Sequence, residues 1–161
     1  MNTVNTEFKK SNIGFSLLMA AIFFAVVPKV SAADEVLTVY KNPGCGCCTV
    51  WVDHMKAAGF SVSVTERSAQ NADKWQAGLR AEHKSCHTAV SESGHVFEGH
   101  IPASIIQRFL DAQPDDAKGL SVPGMPAGSP GMESGNRRDP YDVLLMKTDG
   151  TVEVFAHIEG N

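Results

Sequence analysis

Val36-Leu37-Thr38-Val39-Tyr40, Lys41-Asn42-Pro43-Gly44-Cys45-Gly46-Cys47-Cys48 and Thr49-Val50-Trp51-Val52-Asp53-His54-Met55-Lys56 follow one another without a break and read as strand, turn and helix. The first run alternates β-branched, apolar and aromatic residues, and the last has helical spacing. Between them, three of the four cysteines occupy four consecutive positions. A strand-to-helix turn offers free backbone N–H groups and the positive end of the helix dipole. Both favour negative charge, lower a thiol's pKa and supply the thiolate that redox chemistry and soft-metal binding require.

Working outward, Cys48, Trp51, Met55 and Ala58 recur at three- and four-residue steps and give this helix an inward face, with Gly59 as its stop. His54 falls on a neighbouring face and reads as a surface or boundary residue. Phe60-Ser61-Val62-Ser63-Val64-Thr65 alternates as a second strand, completing a βαβ unit. Ser68 to Glu82 has the spacing of a second helix, capped by Ser68 and anchored by Trp75 and Leu79. The chain then reaches Lys84-Ser85-Cys86-His87-Thr88-Ala89-Val90, so the fourth cysteine immediately precedes a third strand. In an α/β sheet the loop entering that strand can lie beside the turn leaving the first, which would let Cys86 face the other cysteines.

Thr88-Ala89-Val90-Ser91 and His95-Val96-Phe97-Glu98 flank Glu92-Ser93-Gly94 as a hairpin. Pro102 opens a helix through Leu110, whose Ile105, Ile106, Phe109 and Leu110 should cover the sheet. From Leu120 to Met132 the chain is dense in glycine and proline and reads as a long irregular loop. Its Met125 and Met132 are either thioether ligands for a soft monovalent metal or apolar pegs that hold the loop to the core. Tyr141 to Met146 and Thr151 to Ala156 form a terminal hairpin around Thr148-Asp149-Gly150.

The amino terminus has a different purpose. Lys9 and Lys10 precede an apolar run from Ile13 to Val27, and Val30-Ser31-Ala32 supplies small residues for cleavage. This is the pattern of a secretory signal peptide over residues 1–32, leaving one domain over residues 33–161 and no membrane segment after cleavage; a retained membrane anchor is the alternative, for which the run is short. Without the leader the chain has 11 basic and 17 acidic residues, a balance of −6. No basic stripe or tail points to nucleic acid.

An exported chain meets an oxidising compartment, where cysteines usually end as structural disulfides. A bond between the adjacent Cys47 and Cys48 conflicts with ordinary disulfide geometry, and each remaining complete pairing joins one amino-terminal cysteine to Cys86. Cys45 and Cys48 have Cys-x-x-Cys spacing. The cluster therefore points to reactivity or to metal, with copper and zinc both open on the residues alone. His87, beside Cys86, and His100, in Glu98-Gly99-His100-Ile101-Pro102, are the best secondary ligands or proton carriers, or else hydrogen-bonded structural histidines. Glu98 is a candidate to orient His100. His83, His95 and His157 read as surface residues, and Trp51 and Trp75 as core.

Tyr40 to Cys48, Ser85 to Ala89, Glu98 to Pro102 and Val122 to Met132 together resemble the CopG family of periplasmic copper-resistance proteins, which is distinct from the DNA-binding repressor of the same name. The resemblance spans nearly the whole exported chain. It implies a thioredoxin-like α/β fold, a central mixed sheet flanked by helices, with the long Gly/Pro/Met loop and carboxy-terminal hairpin appended. It also implies a periplasmic location and Cu(I) ligation by Cys45, Cys47, Cys48 and Cys86, with more than one copper ion in a copper–thiolate cluster. Other periplasmic copper-handling or redox proteins would be its partners. Cys45 and Cys48 stand where a thioredoxin-like dithiol stands, so copper or thiol oxidoreductase activity is the enzymatic expectation. A thiol-disulfide oxidoreductase acting on proteins, with metal binding incidental, is the alternative. Ordinary thioredoxins carry a proline in the loop facing the dithiol, whereas this sequence has Lys84-Ser85-Cys86-His87, a departure that weighs against general protein-disulfide exchange.

Overall fold

The computed structural model describes residues 35–66 and 79–161. The expected leader lies outside these residues, as does most of the helix expected over Ser68 to Glu82, Trp75 included. Where that stretch is described, Leu79 and Arg80 are not helical and Ala81–His83 forms one 3-10 turn.

Seven strands form a single mixed sheet: β1 (Val36–Lys41), β2 (Ser61–Glu66), β3 (His87–Ser91), β4 (Val96–Glu98), β5 (Ala117–Ser121), β6 (Tyr141–Lys147) and β7 (Val152–Ile158). Their spatial order is β2-β1-β3-β4-β5-β6-β7. The pairs β1–β2 and β4–β5 are parallel, and the others are antiparallel. Two α-helices are described, α1 (Gly46–Ala57) and α2 (Ala103–Ala112). None is long and apolar enough to cross a membrane.

Both helices contribute to one core. Trp51, Val52 and Met55 of α1 and Ile106, Phe109 and Leu110 of α2 pack with Leu37, Val39, Ala89, Phe97, Leu120, Val143 and Leu145 from five strands. The period-two alternation of strands puts those inward residues on a shared sheet face. Leu79, Val96 and Met146 form a smaller separate cluster.

Three expectations need correction. The loop expected from Leu120 begins only at Val122, because Ala117–Ser121 is a strand joining the first four strands to the terminal hairpin. That hairpin is consequently part of the main sheet. Ala58, assigned to the inward face of α1, is exposed at its carboxy-terminal cap, and Val52 takes the buried position. His83 is buried, with its carbonyl accepting from Ser121 Oγ at 2.7 Å.

Candidate metal centre

The end of β1 and the start of α1 position the three clustered cysteines. Cys45 N–H donates to Asn42 O at 3.0 Å, closing the turn through Pro43 and Gly44. Cys45 is then the N-cap of α1, its sulfur accepting from Cys48 N–H at 3.3 Å. The helix begins at Gly46, three residues before the run from Thr49 to Lys56 that the sequence marks as helical, so Cys47 and Cys48 lie in its first turn. Cys45 and Cys48 are joined as a disulfide, with Cα atoms 5.3 Å apart, while Cys47 and Cys86 are free thiols.

Cys86 reaches this group from 38 residues away. Its Sγ is 3.5 Å from Cys48 Sγ, and Cys47 Sγ is 3.5 Å from Cys45 Sγ. All four sulfurs lie within 4.8 Å of one another. The loop carrying Cys86 is fixed by the buried Glu98, whose carboxylate accepts from Ser85 N–H at 2.7 Å and from Thr88 Oγ1 at 2.6 Å. Glu98 thus anchors the cysteine loop. The candidate role of orienting His100 belongs instead to the Pro130 carbonyl, 2.8 Å from His100 Nδ1.

That contact fixes the imidazole's chemistry. A carbonyl only accepts, so Nδ1 carries hydrogen, and burial holds His100 below the usual histidine pKa, favouring the neutral ring. Its Nε2 lone pair then faces Cys86 Sγ at 3.1 Å. Burial and the neighbouring Cys47 push the Cys86 thiol up to about 11, so without metal its S–H donates to His100 Nε2. His87 Nδ1 lies 3.4 Å from the same sulfur, and the His87 ring packs 4.5 Å from Trp51 and 5.0 Å from His100. Cys86, His87 and His100 therefore form a second group of potential donors sharing one sulfur with the first.

The Gly/Pro/Met loop covers this region. Besides Pro130 on His100, Gly124 O accepts from Ser85 Oγ at 2.7 Å. Gly131, at φ +86°, approaches so closely that a Cβ would stand 2.5 Å from Cys47 O and 3.0 Å from Trp51 N. Just beyond the loop, Glu133 pairs with His54 of α1 at 2.8 Å, which accounts for His54 without a ligand role. Met125 is 55% exposed and Met132 is half-buried next to Gly131. The Pro130 and Glu133 contacts carry no local sequence signal, because their partners lie 30 and 79 residues away.

The donor set suits a soft metal. Metal–thiolate bonds are about 2.3 Å, so sulfurs at this spacing can share an ion or bridge several. Use of all four requires the Cys45–Cys48 disulfide to be reduced by two electrons and two protons.

Residues 83–132 match a family model described as "Protein of unknown function, DUF411", a span holding Cys86, His87, His100 and the loop. Two solved structures, "Copper resistance protein copG- Form 2" and "Copper resistance protein copG- Form 1", are similar to this chain at TM-scores of 0.72 and 0.71. Identities are 37% and 38%, with 78% of this chain covered in both cases and 99% and 98% of theirs. No curated protein matches the chain.

Proposed function

This chain belongs to the CopG family of copper resistance proteins, and we propose from that premise that it is an exported periplasmic protein binding Cu(I) through Cys45, Cys47, Cys48 and Cys86. The observation that carries the reading is the convergence of four sulfurs within 4.8 Å, one from a loop distant in sequence. Soft thiolates select Cu(I). Two ligands are vicinal and cannot both approach one small ion comfortably, so bridging sulfurs and more than one copper form the loaded state. His87, His100, Met125 and Met132 are secondary ligands or proton carriers in this reading, with His100 the best placed.

The fold reading is thioredoxin-like. It is supported by the order β2-β1-β3-β4, the parallel β1–β2 pair around α1, and α2 following β4. Residues 1–32 direct export and residues 33–161 form the working domain.

Redox chemistry couples to copper at this site. Two Cu(II) ions accept one electron each from the Cys45 and Cys48 thiolates, giving two Cu(I) and the disulfide; the reverse returns two electrons to the sulfurs. Alternatively, a periplasmic dithiol reduces the disulfide and leaves four thiols ready for Cu(I). The disulfide at a helix N-terminus also favours the second reading, a thiol-disulfide oxidoreductase acting on proteins.

Anaerobic Cu(I) titration of reduced protein against a competing chelator separates the two. Tight uptake of more than one copper per chain supports the copper protein. Absence of uptake, with rapid turnover of a disulfide substrate in metal-free buffer, supports the oxidoreductase.

A further inference from the structure

We propose that Cys86 Sγ, His87 Nδ1 and His100 Nε2 form a separate site for one divalent cation of borderline softness, of the class of Zn(II), which the protein holds while the Cys45–Cys48 disulfide is formed. The site takes no donor from Cys45, Cys47 or Cys48, so it stands apart from the copper reading above. Cys86 is a free thiol in the disulfide form.

Two imidazoles aim a nitrogen at the same sulfur. Cys86 Sγ lies 3.4 Å from His87 Nδ1 and 3.1 Å from His100 Nε2. Zinc bonds of about 2.3 Å to sulfur and about 2.1 Å to nitrogen, at tetrahedral angles, put sulfur and nitrogen about 3.5 Å apart. The two sulfur–nitrogen separations are therefore close to those of a loaded site. The third edge, between the nitrogens, is no longer than 4.8 Å. Even at that limit one point stands about 2.4 Å from all three donor atoms, and a shorter edge brings it closer, so small side-chain shifts bring all three to one ion.

The donors are held in place before any metal arrives. His87 and His100 are buried. Nδ1 of His100 donates to Pro130 O at 2.8 Å, which leaves the lone pair on Nε2, the outer contact that a histidine ligand requires. The His87 ring rests 4.5 Å from Trp51 and edge-on to His100 at 5.0 Å. Glu98 pins the backbone on both sides of the Cys86–His87 pair through Ser85 N–H and Thr88 Oγ1. Cys86 is only half-buried, which leaves the fourth tetrahedral position to water.

Two nitrogens and one thiolate make a borderline donor set, softer than carboxylates and harder than four thiolates. On binding, the metal–sulfur bond replaces the thiol S–H, whose proton goes to solvent, and His87 carries its hydrogen on Nε2. No electron is transferred. Because Cys86 belongs to both donor sets, reduction of the disulfide and Cu(I) loading would displace the divalent ion; that exchange rests on the copper reading, whereas the site itself does not.

The test uses the purified, untagged protein in its disulfide form, titrated anaerobically with Zn(II) against the chromophoric chelator zincon. The expected result is one Zn(II) per chain. Iodoacetamide labelling mapped by mass spectrometry should find Cys86 protected and Cys47 alkylated at its metal-free rate. Zinc-edge X-ray absorption should show a single sulfur at about 2.3 Å with nitrogen and oxygen at about 2.0 Å. Cys86→Ser, His87→Gln and His100→Gln should each weaken binding by about tenfold or more, with an unchanged circular dichroism spectrum and the Cys45–Cys48 disulfide retained. Where a histidine variant fails to fold, absorption and labelling of the unaltered protein decide. No uptake, or zinc without a sulfur neighbour, overturns the site. Zinc that persists in Cys86→Ser sits elsewhere, as on the exposed His157–Asp142 pair, and also overturns it. Protection of Cys47 together with two sulfurs in the shell overturns the assigned ligands. If the disulfide form takes up no zinc while the reduced form takes up several Cu(I), this site is wrong and the copper reading stands; zinc uptake without any Cu(I) uptake by the reduced form gives the reverse.

Discussion

At the scale of single residues, His100 and Glu98 divide the work of placing Cys86. His100 is fixed by a backbone carbonyl and turns its lone pair to the sulfur. Glu98 holds the residues on either side of the Cys86–His87 pair through Ser85 N–H and Thr88 Oγ1. Two donors end on this one buried side chain, and buried donors left without partners are costly. Glu98→Ala should therefore destabilise the protein by about 3 kcal/mol, measured by urea denaturation; a loss under about 0.5 kcal/mol would place the anchoring elsewhere. Cys86→Ser should lower the Cu(I) stoichiometry of the reduced protein, and unchanged copper content would contradict its place in the site. The candidate donors were legible because cysteine and histidine have few roles at such spacing. Their orientation was not, since the partner of His100 is a backbone carbonyl, which no side-chain pattern encodes.

Among the elements, the Gly/Pro/Met loop links the cysteine turn to the rest of the sheet. Gly131 combines a left-handed backbone with contact against α1, and a methyl group there meets Cys47 O at 2.5 Å. Gly131→Ala should lift the loop and make Cys86 alkylate several-fold faster in the metal-free protein, as read by quenched iodoacetamide labelling. Equal rates would mean that the loop does not cover that sulfur. The irregularity of this loop was readable from its glycines and prolines, but its return to α1 depends on distant contacts. β5 was hidden for another reason. Ala117-Lys118-Gly119-Leu120-Ser121 lacks the β-branched alternation of β1, and Gly119 occupies a place where a Cβ would collide with the Val96 carbonyl. Neighbouring strands recruit it despite weak intrinsic preference. The hairpin of β3 and β4, the helix after Pro102 and the β6–β7 hairpin needed no such help, because their turns and apolar periods are explicit in the sequence.

For the whole molecule, stability and metal loading are linked through protons. Burial holds both His95 and His100 below 6.5, so in mild acid the unfolded chain takes up protons that the folded chain refuses. The stability they contribute is present above pH 6.5 and is lost as pH falls through their folded-state values. His157 acts with the opposite sign: its hydrogen bond to Asp142 raises its pKa, so its contribution is lost as pH rises through the raised value. These two histidines, His95 half-buried and His100 buried, should dominate, lowering the melting temperature of the metal-free protein between about pH 7.5 and about pH 5. His95→Gln should shrink that fall; an unaltered fall would assign the acid sensitivity to other groups. Copper bound only to the folded state should raise the melting temperature. The most direct measurement is copper-edge X-ray absorption on the reduced, Cu(I)-loaded protein. A shell dominated by sulfur at about 2.3 Å, with copper–copper scattering, is the expected result for four cysteines sharing several ions. A shell of nitrogen and oxygen alone, without copper neighbours, would contradict it.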